Sequence, residues 1–530
     1  MRTVAVHPVD HEADPGDSRS LSARLDSISS SLAQPKAFQR FVSIITGFGR
    51  LYQRYSIAKL LEYEQYRRTV SRWRVVGILL MAPITGFLGA LFPVWISLQE
   101  PRRGLFENHG FLVHYVIVVA LAALGATLIP RAGLRFTNTQ FSPTQVALIV
   151  FFVVLMTTCV FLGIATLWRF PVPFTLVVSF FPWSIFMAIG HFVVLKDLLA
   201  KSSPYRGPIL SSWAWVIIQC SQIIIYPAFS ALFEAITEIQ QVILTFAFPV
   251  LKYIVKKALR FNGKAFGDFN EEMAVTGVEI AASLYQTMIM QNTPSLLATS
   301  IIIGVDILQG LLAVKVFMDK SSVVPHRDII GLAIRHIEKA AVEEANLKEY
   351  TPRVVHRLTK ASVTQPENGA PIVGPVIKSE VSDQQRGDVA VIQALEILQA
   401  AENILFVEYF EVAIPILNAV YLAIASQPGS ARYNPKLAPF HASDDRLLDG
   451  LRGILVYSLL QGVTLLAMLV VMRFRYRLST IRLLSFSLER HWWSLQGKMI
   501  GWLPLFLHFS LVHYGVDFHF KFDFGANDST

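Results

Sequence analysis

Cysteine is nearly absent: the 530 residues hold two, Cys159 and Cys220, each inside an apolar run. That excludes a disulfide scaffold and a cysteine-rich metal site. The motifs that announce common chemistry are missing too. There is no Walker-type phosphate loop, no G-x-S-x-G elbow, no H-E-x-x-H pair and no cysteine pair of zinc spacing. "FNGKAFGDF" carries glycine and lysine without the phosphate-loop spacing. The sequence therefore reads as one with no catalytic motif, no cofactor and no resident metal. Charge is scarce as well. Of all residues 16% are charged and 53% hydrophobic, against about 25% and about 45–50% in soluble domains. The first residues, "MRTVAVHPVDHEADPGDSRS", lack the apolar core of a signal peptide, so a later apolar segment is expected to direct insertion.

What is present is apolar length. Mean hydropathy is +0.46, and the apolar residues gather in runs near the ~20 residues a bilayer requires. Five clear runs cover 75–98, 111–130, 145–167, 173–195 and 209–233. Residues 239–256 are marginal, either a sixth span or an interfacial segment. Runs at 276–296 and 298–318 are more polar; 402–425 and 451–471 are a ninth and a tenth. The stretch 499–515 is short enough to be re-entrant or tilted. The expected fold is an all-α polytopic integral membrane bundle of about ten transmembrane helices, split by a cytoplasmic insert. In domain terms, 1–36 is a polar, Ser-rich disordered tail. Residues 37–74 form a basic amphipathic helix, either lying on anionic lipid headgroups or exposed as a soluble surface helix. A first transmembrane block of about eight spans follows at 75–318. Residues 319–388 read as a cytoplasmic helix and flexible linker, 389–515 as a second block, and 516–530 as a tail.

The formal net charge is +9. Because Lys and Arg sit between apolar runs, this points to topology and anionic lipid rather than nucleic acid. Arg67, Arg68, Arg72 and Arg74 flank the first span, which sets the N-terminus in the cytoplasm. Alternation then places Lys252, Lys256, Lys257, Arg260 and Lys264 on the same side. Arg432, Lys436 and Arg446, in the loop 426–450, run against the pattern.

The acids inside the apolar runs matter most, since each costs about 2.5 kcal/mol or more in hydrocarbon. In "FVEYFEVAIPILNAVYLAIA" (406–425), Glu408, Glu411 and Asn418 share a helical face. Pro415 cannot donate to the carbonyl of residue 411. A second polar stripe holds Thr276, Glu279, Ser283 and Gln286, and Asp306 and Gln309 lie on the next span. Glu279, Gln286, Asp306, Glu408, Glu411 and Asn418 are the candidate substrate or ion ligands. Two readings stand: a path for a cation, a proton or a small solute, or hydrogen bonds that tie helices together. The first makes the protein a transporter or channel. The alternative is a receptor or scaffold that binds partners through residues 1–74 and 319–388. An intramembrane enzyme would rest on the carboxylate pair alone. His508, His513 and His519, five and six residues apart, do not share a face and read as interfacial residues of an aromatic belt.

Four stretches, "LLEYEQYRRTVSRWRVVGILLMAPI", "EEMAVTGVEIAASLYQTMIMQ", "FVEYFEVAIPILNAVYLAIA" and "SLERHWWSLQGKMIGWLPLFLHFSLVHYGVDFHFKF", together resemble a large family of multi-spanning membrane proteins of oomycetes. The resemblance implies membrane embedding and a shared architecture. It carries over no substrate and no site residue.

Overall fold

The structure is a computed structural model and describes residues 55–292, 296–319, 328–345 and 383–518. Among the described residues there is no strand, and there are fourteen α-helices of eleven residues or more. In chain order these are α1 (Ile57–Thr69), α2 (Arg72–Leu91), α3 (His109–Gly133), α4 (Pro143–Leu167), α5 (Thr175–Val194), α6 (Arg206–Ala235) and α7 (Glu238–Asn262). Then come α8 (Asn270–Asn292), α9 (Leu296–Asp319), α10 (Ile329–Ala345), α11 (Asp383–Ala425), α12 (Asp444–Tyr476), α13 (Thr480–Arg490) and α14 (Trp492–His508).

Seven helical segments are long and apolar enough to cross a membrane: Arg72–Trp95, α3, α4, α5, α6, Ala390–Ala425 and α12. The sequence reading counted about ten. The difference lies partly in α7 and α8, whose apolar character is interrupted by Lys252, Lys256, Arg260, Glu271, Glu272 and Glu279; in α9, Ser300–Leu312 forms an apolar stretch among the described residues. The ninth run begins far earlier than expected, at Asp383, and the helix continues through Pro415.

The chain divides into two compact units, residues 1–43 with 322–394 and residues 44–321 with 395–530. In the first, α10 buries Ile330, Ala333, Ile334 and Ile337 at helical spacing. The Gly331 amide donates to Asp328 Oδ1 at 3.3 Å, capping its first turn. The expected N-terminal tail, residues 37–54 of the basic helix, the linker at 346–382 and the tail from 519, with His519, lie outside the described residues.

The second unit is built around two buried helices. Every residue from Phe269 to Met290 is buried, so α8 is enclosed on all sides by α6, α7, α12 and α14. Helix α14 is buried from Ser494 to Phe509 apart from Ile500, and packs on α2 and α3. Small residues permit that approach. A Cβ on Gly125 would lie 2.4 Å from the Gly497 carbonyl oxygen, and one on Gly86 2.5 Å from Met499 Cβ. This enclosure corrects the reading of the C-terminal histidines as interfacial. His508 and His513 are buried; His508 Nδ1 faces His114 Nε2 at 3.2 Å and His513 Nε2 meets the Gln99 carbonyl at 2.7 Å.

Helix α7 is amphipathic the wrong way round for water. Ile239, Ile243, Phe246, Val250 and Ile254 are exposed on its outer face, while Lys252, Lys256 and Arg260 are buried on the inner one. Helix α4 likewise exposes Leu148, Phe151 and Leu155. The basic segment at 37–74 is not one helix over its described part. Helix α1 ends at Val70, and Arg72 and Arg74 begin α2 after the Ser71 cap, whose hydroxyl accepts from Arg74 N at 3.2 Å. Arg67 and Arg68 fold back onto Glu64, and Arg74 pairs with Glu489.

Candidate functional site

The polar residues of α8 at 272, 276, 279, 283 and 286 repeat every three or four positions and so share one face. They span fifteen residues, about 21 Å of helix. All but Ser283 meet a different neighbour, and the stripe divides into an upper and a lower cluster.

In the lower cluster, Glu279 lies between two lysines of α7. Lys252 Nζ is 2.9 Å from its Oε2, and Lys256 pairs with its Oε1. These are ion pairs by distance, although Glu279 Oε1 and Oε2 lack a partner aligned as a hydrogen bond. Lys252 also reaches Glu411 Oε1 of α11 at 3.2 Å. Two turns along, Gln286 donates to Asp306 Oδ2 of α9. The same oxygen accepts from Tyr457 OH at 2.8 Å and Gln461 Nε2 at 3.2 Å, both on α12. Glu408 is buried with these groups and its Oε2 has no partner. It faces Gly310, where a Cβ would lie 3.3 Å from Glu408 Oε1.

Five of the six candidate residues read from the sequence therefore converge: Glu279, Gln286, Asp306, Glu408 and Glu411. Asn418, two turns further along α11, does not join them. Its Nδ2 donates to Gln291 Oε1 at 3.0 Å. A small cavity of about 20 Å³ abuts Gln286, Asp306 and Gln309, about enough for one water molecule.

Sequence reasoning missed the two lysines, which it treated as charges on the membrane surface. Their spacing held the signal: 252, 256 and 260 repeat every four residues and face inward together. The charge count is unequal. Four carboxyl groups, of Glu279, Asp306, Glu408 and Glu411, meet two ammonium groups. If all ionise, two negative charges lack a counter-cation in an apolar setting, where an uncompensated charge is costly. The cluster can therefore take up protons or a small cation.

In the upper cluster, Lys59 of α1 donates to Glu272 of α8 and to Glu402 Oε2 of α11, the latter at 2.5 Å, and Ser487 donates to Glu402 Oε1. Burial pushes the Lys59 ammonium down, but the two carboxylates outweigh it and hold the group above the ordinary lysine range. His491 stands beside them. Glu272, Glu402 and His491 each bring a ligand atom within 4.8 Å of the others, a donor set suited to a divalent cation. The Lys59 ammonium already supplies positive charge between the two acids. Between the clusters, Lys498 Nζ donates to Thr276 Oγ1 at 2.5 Å, and buried Ser283 Oγ has no partner. The adjoining Arg260 pairs with Glu271 at 2.5 Å, and Asn403 donates to the same oxygen at 3.1 Å.

Comparison with protein-family models, curated proteins and solved structures finds no match for this chain.

Proposed function

We propose that this is a polytopic helical membrane protein that moves a proton or small cation, or a solute coupled to one, along the polar face of α8. The membrane setting is supported by α7, whose charged face points into the bundle and whose apolar face points out. In water that arrangement would be reversed. Exposed tryptophans at helix ends support it too: Trp73 and Trp95 near the two ends of the Arg72–Trp95 segment, and Trp168 just after α4, as expected of residues at a membrane–water interface. The transport reading rests on one observation, the excess of buried carboxyl groups over lysines around Glu279. Buried acids inside membrane segments serve relays and ion paths by default.

The test is flux into vesicles reconstituted with the whole protein, read by an internal pH-sensitive dye and by alkali-cation uptake. Glu408→Gln should assemble normally, because Glu408 Oε2 has no partner to lose, and should reduce flux at least tenfold. Glu411→Gln should reduce it as well. Equal flux in native protein and both variants would overturn the reading. A scaffold is the second reading, favoured by the small size of the cavity beside Asp306. It requires that no flux occur and that partner capture depend on residues 1–74 or 319–388.

A further inference from the structure

A cavity of about 1180 Å³ lies between α3, α4 and the start of α14 and shares His491 with the upper carboxylate cluster. That exceeds the ~300–1,000 Å³ of ordinary small-molecule sites. It has two unlike ends. Along α3 and α4 its wall is hydrocarbon, from Leu124, Leu128, Val150 and Phe151 among others. At the other end stand Arg131, Arg135, Arg490 and His491, and among the described residues no acid lines the cavity.

Those polar groups have donors to spare. Arg135 makes no hydrogen bond or ion pair among the described residues, and its guanidinium carbon rests 4.2 Å above the Phe269 ring. Arg490 pairs with Glu62, yet its Nε has no acceptor. His491 is 5% exposed and neither ring nitrogen has a partner. Arg131 is engaged, donating to the Phe141 carbonyl at 2.8 Å and to Asn138 Oδ1 at 2.6 Å. The acids closest to His491, Glu272 and Glu402, are held by Lys59. Arg135 is exposed and its donors meet solvent, but the buried His491 ring and the Arg490 Nε carry the desolvation penalty of polar atoms without partners, and an anion entering from the cavity side would remove it.

We propose that this cavity holds an anionic phospholipid, its phosphate against Arg135, Arg490 and His491 and an acyl chain along α3 and α4. An inorganic anion would satisfy the donors but leave the apolar trough unfilled. A neutral lipid would fill the trough but leave the donors unmet. Arginine suits the phosphate because its planar donor fork matches phosphate oxygens, and basic pockets between membrane helices are known lipid headgroup sites. The inference rests on the membrane reading above but not on transport.

The experiment is native mass spectrometry of the detergent-purified whole protein, followed by addition of phosphatidylserine, phosphatidylcholine, glycerol phosphate or inorganic phosphate. Two variants accompany it. Arg135→Asn removes the free cation; residue 135 has φ 54°, a left-handed conformation that asparagine tolerates, so the fold is kept. Ala147→Trp fills the trough and leaves the cationic end intact. We expect phosphatidylserine to bind at least tenfold tighter than phosphatidylcholine, both variants to lose that binding, and Glu408→Gln protein to retain it. Equal binding of the two lipids, retention by both variants, or displacement by glycerol phosphate or inorganic phosphate at the lipid's own concentration would overturn the proposal. Loss of flux in Glu408→Gln with lipid retained separates this site from the lower carboxylate cluster.

Discussion

Replacing Glu279 by glutamine tests whether the ion pairs of α7 and α8 hold the bundle together. Glu279 is fully buried and pairs with both Lys252 and Lys256. With a neutral amide there, Lys252 keeps Glu411 at 3.2 Å, but Lys256 loses its carboxylate. Removing one partner of a buried pair costs about 3–5 kcal/mol, because the other charge stays behind without compensation. The surviving Lys252–Glu411 contact puts the expected loss near the lower end, about 3 kcal/mol. The assay is unfolding of the whole protein in detergent, followed by tryptophan fluorescence, for Glu279→Gln, Lys256→Met and the double variant. The double variant removes both charges of one pair, so it should be less damaged than the sum of the singles by ~1–3 kcal/mol. If Glu279→Gln lies within ~0.5 kcal/mol of the native protein, as ordinary surface changes do, the pairs are not structural. Additive losses would refute the coupling equally well.

Gly125→Ala should disrupt the seating of α14 on α3, since its Cβ would lie 2.4 Å from the Gly497 carbonyl oxygen and 2.8 Å from Gly501 Cα; overpacking of this kind costs about 1–3 kcal/mol, and a lowered unfolding midpoint checks it, whereas an unchanged midpoint means the helices separate freely. In α1, burial raises the Glu64 carboxyl, but hydrogen bonds from Arg67 and Arg68 outweigh it and hold the group below the usual glutamate range. A depressed pKa contributes stability that is complete above the unfolded value of ~4.3 and is lost as pH falls through the folded value. The gap in unfolding midpoint between native protein and Glu64→Gln should therefore be present at neutral pH and close on acidification below ~4. Because the two arginines are 42% and 64% exposed, solvent screening keeps the effect below ~1 kcal/mol; a gap that widens in acid would contradict the assignment.

The stripes at 276–286 and 408–411 were legible in the sequence because a lone acid in an apolar run must find shelter, and helical spacing says which neighbours share its face. Partner identity was not legible. Lys59 and Glu402 are 343 positions apart, Tyr457 and Asp306 151 apart, and no periodicity within one helix connects such pairs. The lysines of α7 were visible but misread: a basic residue near the end of an apolar run fits surface topology and a buried counter-ion equally well until the facing helix is known. The seven long apolar segments were expected from their composition. Helices α7 and α8 fell short of that standard because they trade apolar residues for charges that neutralise each other.

The inverted face of α7 has a consequence for how the chain is made. A segment bearing Lys252, Lys256 and Arg260 cannot enter lipid alone, at about 2.5–3.5 kcal/mol for each basic residue near the centre. If α7 lies within the bilayer, as the proposed function has it, it must wait until α8, synthesised after it, offers Glu279 and Glu271, and the two helices would leave the insertion machinery as a pair.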